Sequence, residues 1–374
     1  MFASKAYSGP EESFQVALSE LAKGNIERAE LLLTIFSIQH PTPRVFLELG
    51  RAQFLQGKLD KARESFRKAK KNGPTPLAVR KNIDNFLSKI DKEIGFKRYR
   101  VELRNDDNPL NFTDTETVQI GMFNFNINQP TQNETVFGLQ HSLDLSSGSK
   151  GFWGTNISSS ITLSDYEKSI HDRLNFFGSV QKQTGLKGIE NISVFYSNER
   201  SRETKKYQQL GLKLLTPKIA PLRNARFLAT LAKADIKTFD YLDANQYQLD
   251  LLMPFRVGET IYRLDFAHLQ NLTKAKPDRY SANIVRLLAN LNSKALKTNF
   301  DLRLQFTDKA YKANSPMFGR RRSDEIFFLE ARIKPEIAQV RGYQMELGLR
   351  LERTESSINY FDVNKFIWSL NYRL

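Results

Sequence analysis

The sequence predicts an α+β two-domain protein: N-terminal α-helical repeats, then a transmembrane antiparallel β-barrel of about fourteen strands. Three observations predict it. Apolar residues recur at helical spacing between residues 11 and 95. After Gly95 the apolar period drops from about 3.6 to 2 and holds to the C-terminus. No run of about 18 apolar residues occurs, so a membrane could be crossed only by strands. The expected boundaries are 1–10 as a disordered N-terminus, 11–95 as the helical domain and 96–374 as the barrel.

Composition narrows the function classes. A chain of 374 residues can bury a sizeable core in one large or two ordinary domains. With no Cys, disulfide frameworks, thiolate metal sites and cysteine nucleophiles are excluded. The mean hydropathy of −0.48 argues against membrane helices but not against strands that alternate polar and apolar residues. The net charge of +15 raises nucleic acid as a partner, yet the basic residues are dispersed, with one dense cluster at Arg320, Arg321 and Arg322. Dispersed cations on alternating strand positions are a solvated face rather than a phosphate track, so no nucleic-acid partner is expected. The start, MFASKAYSGPEES, lacks the apolar centre of a signal peptide, so an exported protein would here be a mature or truncated form.

In the helical region Phe14, Val16, Ala17, Leu18, Leu21 and Ala22 fall at helical spacing before Gly24. Ala29, Leu31, Leu32, Leu33 and Phe36 follow before Pro41. The pattern then returns: Gly50 and Phe54 precede Gly57, and Ala62, Phe66, Ala69 and Pro74 close a second unit. Gly24 to Gly57, Ala29 to Ala62 and Pro41 to Pro74 share one interval, which marks a repeat. Two helices joined by a tight turn need these residue types. Gly50 permits close approach, Gly57 turns the chain, Ala62 keeps the pair together and Pro74 ends the second helix. The second unit, FLELGRAQFLQGKLDKARESFRKAKKNGP, closely resembles a tetratricopeptide repeat and departs from it at Gln53, where an aromatic is usual. A third helical segment, Leu77 to Ile94, would cap the stack through Val79, Ile83, Phe86, Leu87 and Ile90.

From residue 96 onward the strands read as amphipathic. In Tyr343, Met345, Leu347, Leu349 and Leu351 one face is apolar, while Gln344, Glu346, Gly348, Arg350 and Glu352 make the other polar. The last strand sets Phe366, Trp368, Leu370, Tyr372 and Leu374 against Lys365, Ser369, Asn371 and Arg373. Strands are expected near 96–105, 131–145, 151–164, 168–182, 187–199, 204–216, 222–238, 244–256, 259–273, 278–292, 296–309, 323–335, 341–354 and 362–374. That is an even number, and most exceed the roughly 9–11 residues needed to cross a bilayer. The long connections, 106–130, 200–203, 310–322 and 355–361, all follow odd-numbered strands, as an outer-membrane barrel with long external loops requires.

Helical repeats followed by a barrel of about fourteen strands resemble the surface lipoprotein assembly modifier family, the outer-membrane translocons of the type eleven secretion pathway. The resemblance spans nearly the whole chain and is sharpest at LELGRAQFLQGKLDKARESFRKA, at GPTPLAVRKNIDNFL and at the junction ending in DDNPLN. It departs in a short helical domain and in Leu374, where such barrels commonly end in Phe. The resemblance implies that the helical domain is periplasmic and that the chain helps particular lipoproteins or secreted proteins reach the cell surface. The implied partners are outer-membrane lipids, the cargo, and the general barrel-insertion machinery acting on the last strand. On the repeat face that lines such arrays, Phe14, Leu18, Arg44, Leu47 and Arg51 are candidate cargo contacts. The Asp91–Phe96 joint would tether the repeats close to the first strand.

An enzyme is not expected and no cofactor is implied. His40, His141, His171 and His268 show no metal-ligand spacing, and neither a phosphate loop nor a Gly-x-Ser-x-Gly elbow occurs. The rival reading is an exopolysaccharide export porin. Its lumen would carry one sign of charge, whereas Arg263, Arg303, Arg332, Arg350 and Arg373 are interspersed with Asp250, Asp265, Asp301, Glu346 and Glu352.

Overall fold

The computed structural model describes residues 10–71, 76–109, 111, 113–127, 135–149, 154–201, 206–222, 224–258, 260–293, 295–335, 338–340 and 343–373. Five helices come first: α1 Pro10–Ala22, α2 Ile26–Gln39, α3 Pro43–Leu55, α4 Leu59–Lys71 and α5 Leu77–Ile94. Strands follow as β1 Phe96–Asp106, β2 Thr117–Ile120, β3 Phe123–Asn126, β4 Val136–Ser146, β5 Thr155–Tyr166, β6 Arg173–Gln183, β7 Asn191–Ser201, β8 Lys206–Leu215 and β9 Arg226–Ile236. The rest are β10 Ala244–Val257, β11 Thr260–Thr273, β12 Tyr280–Ser293, β13 Thr298–Asn314, β14 Arg321–Pro335, β15 Gln339–Val340, β16 Tyr343–Ser356 and β17 Val363–Arg373. Contacts divide the chain into a helical unit, residues 1–96 with 147–151, and a strand unit made of the remainder.

In the helical unit, Gly24 and Gly57 hold φ at +85° and +73°. This left-handed turn is one that glycine adopts at least cost. Thr42 caps α3 by accepting the Val45 N–H, and Pro43 pre-sets the first turn. Helix α3 serves two clusters. Phe46 and Leu47 pack with Leu59, Ala62, Phe66, Ala69, Ile83 and Ile90. Val45, Leu49 and Ala52 pack with Phe14, Ala17 and Leu33. A Cβ on Gly50 would lie 2.8 Å from the Phe66 ring, so the α3–α4 approach depends on glycine there. Gln53 is buried and its Oε1 accepts the Ser65 hydroxyl at 2.8 Å, which satisfies an amide where an aromatic was expected. The expected Pro74 stop lies outside the described residues, as do residues 1–9 and Leu374.

One helical expectation is corrected. On α2, Ala29 and Leu33 are buried, but Leu31, Ile35 and Ile38 are 61%, 50% and 79% exposed and form a separate apolar stripe. One repeat interval later stand Glu64, Lys68 and Lys71, all exposed, with Lys68 paired to Glu64 at 2.8 Å. The helix spacing is shared by both repeats. The face that it leaves outward is charged in the second and apolar in the first.

In the strand unit, β1, β4 to β14, β16 and β17 form a closed antiparallel barrel of fourteen strands. Each strand pairs with its sequence neighbour, β14 pairs with β16, and β17 pairs with β1, which stands beside β4. Closure satisfies every wall strand on both sides and leaves no open edge. All fourteen expected strands have a counterpart. β13 runs on to Asn314, so its connection to β14 shortens from the expected 310–322 to 315–320. The described part of the expected 131–145 strand is β4 from Val136, and 131–134 lie outside the described residues. The expected single loop 106–130 contains the β2–β3 hairpin, a separate two-stranded sheet.

Candidate functional site: the barrel lumen

Alternation gives each wall strand two faces. Outward, Ile161, Val194, Leu210, Leu249, Phe266 and Leu304 belong to a belt of large apolar side chains that are 37–57% exposed. A continuous belt of this kind is far larger than water-facing surfaces tolerate, and it suits lipid chains. Among the described residues no helix is long and apolar enough to cross a membrane. Tyr99 bonds His141 on one outer stretch, and His268 Nδ1 lies 2.8 Å from Asn283 on another. Two inward aromatic rings are accommodated by glycine on the paired strand. Phe195 faces Gly211 and Tyr166 faces Gly138, and a Cβ on either glycine would come within 2.5 Å of the ring.

The inward positions carry charges of both signs, brought together by alternation two residues apart on one strand or across nearby strands. Asp250 holds Arg286 at 3.0 Å, Asp265 holds Arg263 at 2.9 Å, and Glu352 holds Arg350 at 3.0 Å. Glu330 holds Arg332 at 2.8 Å, and Lys334 bonds Asp301 and lies 3.7 Å from Glu346. Arg303 and Arg350 both stand over the Phe328 ring, at 5.0 and 4.8 Å. Most of the inward residues picked from the alternation therefore belong to one braced network along β10 to β16. The Arg373 side chain lies outside the described residues.

At the barrel end where β1 finishes, the DDNPLN segment is stitched to β17. Buried Lys365 lies 3.2 Å from Asp106 and donates to Asn108 O at 2.8 Å and to Asn111 Oδ1 at 2.9 Å. Asp107 accepts the Phe366 N–H at 2.7 Å, and Thr115 donates to Asn359 O at 2.6 Å. From β6, Arg173 donates to Pro109 O. The segment is thus held from strands on both sides of β1. Asp114 accepts the Asn364 N–H. Burial holds its carboxyl above the usual carboxylate range against that bond, and nearby Asp107 and Asp362 add to the rise. These contacts have no local sequence signal, because the partners lie 250 or so residues apart.

Of the expected cargo contacts, Phe14 and Leu47 are interior side chains, 3% and 9% exposed, and are withdrawn as free contacts because packing consumes them. Leu18 is half-buried against the same cluster as Phe14. Arg44 and Arg51 are exposed, Arg44 over the Phe14 ring at 5.3 Å and Arg51 paired with Glu48 at 2.8 Å. The α2 stripe was not anticipated as a contact face. On the last strand, Phe366 and Leu370 face outward at 42% and 37% exposure, and Trp368 and Tyr372 alternate with them. No group of three or more His, Asp or Glu side chains among the described residues could hold a metal ion.

No protein-family profile and no curated protein sequence matches the chain. Several solved structures are similar. Wzi of Escherichia coli, an outer-membrane protein involved in group 1 capsule assembly and described as a carbohydrate-binding β-barrel, has 9% identity over 85% of this chain and 92% of its own, with a TM-score of 0.39. The outer-membrane channel DcaP of Acinetobacter baumannii has 9% identity over 75% and 96%, with a TM-score of 0.38. CdiB of Acinetobacter baumannii has 8% identity over 74% of this chain and 60% of its own, with a TM-score of 0.39. At these identities and scores the likeness says nothing of activity.

Proposed function

We propose that the protein is an outer-membrane translocon of a Gram-negative bacterium that helps particular lipoproteins or secreted proteins reach the cell surface, with its helical unit engaging cargo in the periplasm. The observation that supports this most is the union, in one chain, of a small helical-repeat unit with a closed barrel: α5 ends at Ile94 and β1 begins at Phe96. A barrel alone needs no such unit to fold, since its hydrogen bonds close on themselves. The outer belt takes lipid as its partner, and the alternating last strand is what a barrel-insertion machinery would read. Exposed Arg44 and Arg51 and the α2 stripe are the surfaces assigned to cargo. The ion-paired lumen favours this reading over a polysaccharide porin, because cations already bound to carboxylates attract a polyanion weakly. No catalytic role is assigned.

The test is deletion of residues 1–90 in the native host. The truncated barrel should insert and remain heat-modifiable on gels, while surface display of the cognate cargo falls. If display is undiminished, the helical unit has no guiding role. If no secreted protein depends on the full chain, the export reading fails altogether.

A further inference from the structure

The lumen has two unlike walls. Along β10 to β16, and at β1 with β4, the inward carboxylates Asp144, Asp250, Asp265, Asp324, Glu330 and Glu352 each hold an Arg nitrogen at 2.7–3.0 Å. On the opposite wall, β5 to β8 present mostly hydroxyls, amides and aromatic rings. There the register sets Asn175 opposite Glu199 and Glu199 opposite Tyr207, one row across three strands. In the next row Ser160, Phe177 and Ser197 are aligned in the same way. These six residues line a cavity of about 280 Å³ that no cation lines. Among the described residues the Glu199 carboxylate has neither an ion pair nor a hydrogen bond, and the side chains of Asn175 and Ser197 are equally unengaged.

A carboxylate recessed in a barrel wall loses hydration and needs a compensating partner. Six carboxylates of the braced wall have an Arg nitrogen in reach, and among the described residues Glu199 has none. The surroundings select the missing group. Two aromatic rings favour a cation over their faces, the Asn175 carbonyl and the Ser197 hydroxyl can accept N–H donors, and the carboxylate supplies a charge-assisted bond. An anion would be repelled, and a neutral sugar would leave the carboxylate uncompensated.

We propose that this cavity is a binding site for an organic cation, a guanidinium or primary ammonium group, with Glu199 as its counter-ion and Phe177 and Tyr207 as its aromatic walls. The further clause, that the cation is a basic side chain of a transported polypeptide, rests on the export reading above; the binding itself does not.

The full chain, purified in detergent, is titrated calorimetrically with acetyl-Gly-Arg-Gly-amide, the same peptide with Gln for Arg, spermidine and maltotriose. Saturable binding of the Arg peptide is expected, with none for the Gln peptide. Glu199→Gln should weaken it about tenfold or more, as loss of a charge-assisted hydrogen bond implies. Glu325→Gln, on the outer face, should change nothing. Phe177→Leu should weaken binding several-fold and serves if Glu199→Gln fails to give a heat-modifiable barrel. Spermidine binding without peptide binding would uphold the cation site and overturn the polypeptide clause. No saturable binding of either cation, equal binding by Glu199→Gln, or maltotriose binding that depends on Glu199 would overturn the site. Loss of cargo display on truncation is read independently, so either reading can fail without the other.

Discussion

Lys365 shows what a single charge costs and contributes in this fold. Its side chain is 7% exposed and that of Asp106 is 3% exposed, so neither has water to fall back on. The ammonium is satisfied three ways, by Asp106, Asn108 O and Asn111 Oδ1. Removing one member of such a pair leaves the other buried and uncompensated, which costs about 3–5 kcal/mol, whereas removing both is far milder. Lys365→Met should therefore lower the temperature at which the barrel unfolds on gels, and the double change with Asp106→Asn should recover most of the loss. A double variant no better than the single one would mean that Lys365 acts through its backbone contacts and not through its charge. Glu199 is the opposite case: the register gives it neighbours but no counter-ion among the described residues.

At the scale of elements, four connections at the β1-terminating end share one closure. Each carries a short 3₁₀ turn, at Ser169–His171, Asp240–Leu242, Lys276–Asp278 and Asn359–Phe361. In three, the next residue is an aspartate that accepts the N–H of the preceding strand's last residue: Asp172 from Tyr166, Asp243 from Ile236 and Asp362 from Ser356, at 3.0, 2.8 and 2.6 Å. In the fourth it is Arg279, which donates to Thr273 O at 2.7 Å and so closes the same turn with the polarity reversed. Asp243 also accepts from Lys274 at 2.7 Å. That hydrogen bond, and then the Ile236 N–H, hold its carboxyl below the usual range, while Lys274 is correspondingly raised. A depressed carboxylate stabilises above its unfolded pKa of about 4 and loses that stabilisation as pH falls through its folded value. Wild type should thus exceed Asp243→Asn in thermal stability at neutral pH, and the gap should close under acid. A gap independent of pH would show that only the neutral hydrogen bond matters.

The strands themselves were legible because a face against lipid or core repeats every second residue, and fourteen such runs can be counted without knowing their partners. Loop closures were not, since one aspartate after a 3₁₀ turn looks like any polar loop residue until its strand end is placed. The β2–β3 hairpin escaped for a related reason: four-residue strands are too short for alternation to stand out. The same alternation supports a strand-level prediction. Leu304 faces outward on β13, and an arginine near the bilayer midplane costs about 2–4 kcal/mol, so Leu304→Arg should impair heat-modifiable assembly. Glu346→Gln, on the lumen face, should be much milder. Equal effects at both positions would show that the two faces are exchanged.

For the whole molecule, an even strand number puts the start of β1 and the end of β17 at one barrel end, where Arg100 stands opposite Arg373. The other end carries the β2–β3 hairpin, the four 3₁₀ turns at Ser169–His171, Asp240–Leu242, Lys276–Asp278 and Asn359–Phe361, and the 315–320 connection. If the helical unit is periplasmic, that elaborate end faces the cell exterior, because β1 must run outward from Gly95. The hairpin turn then offers an accessible cleavage site, with Met122 and Phe123 92% and 68% exposed. A chymotrypsin-like protease added to intact cells should cut there and leave a nicked barrel that still migrates as one species until heated, since the wall strands remain hydrogen-bonded on both sides of the nick. Connections at the opposite end, such as 147–149 and 295–297, should be cut only after the outer membrane is permeabilised. Cleavage confined to those connections in intact cells would reverse the topology, put the helical unit outside and remove the physical basis for cargo capture in the periplasm.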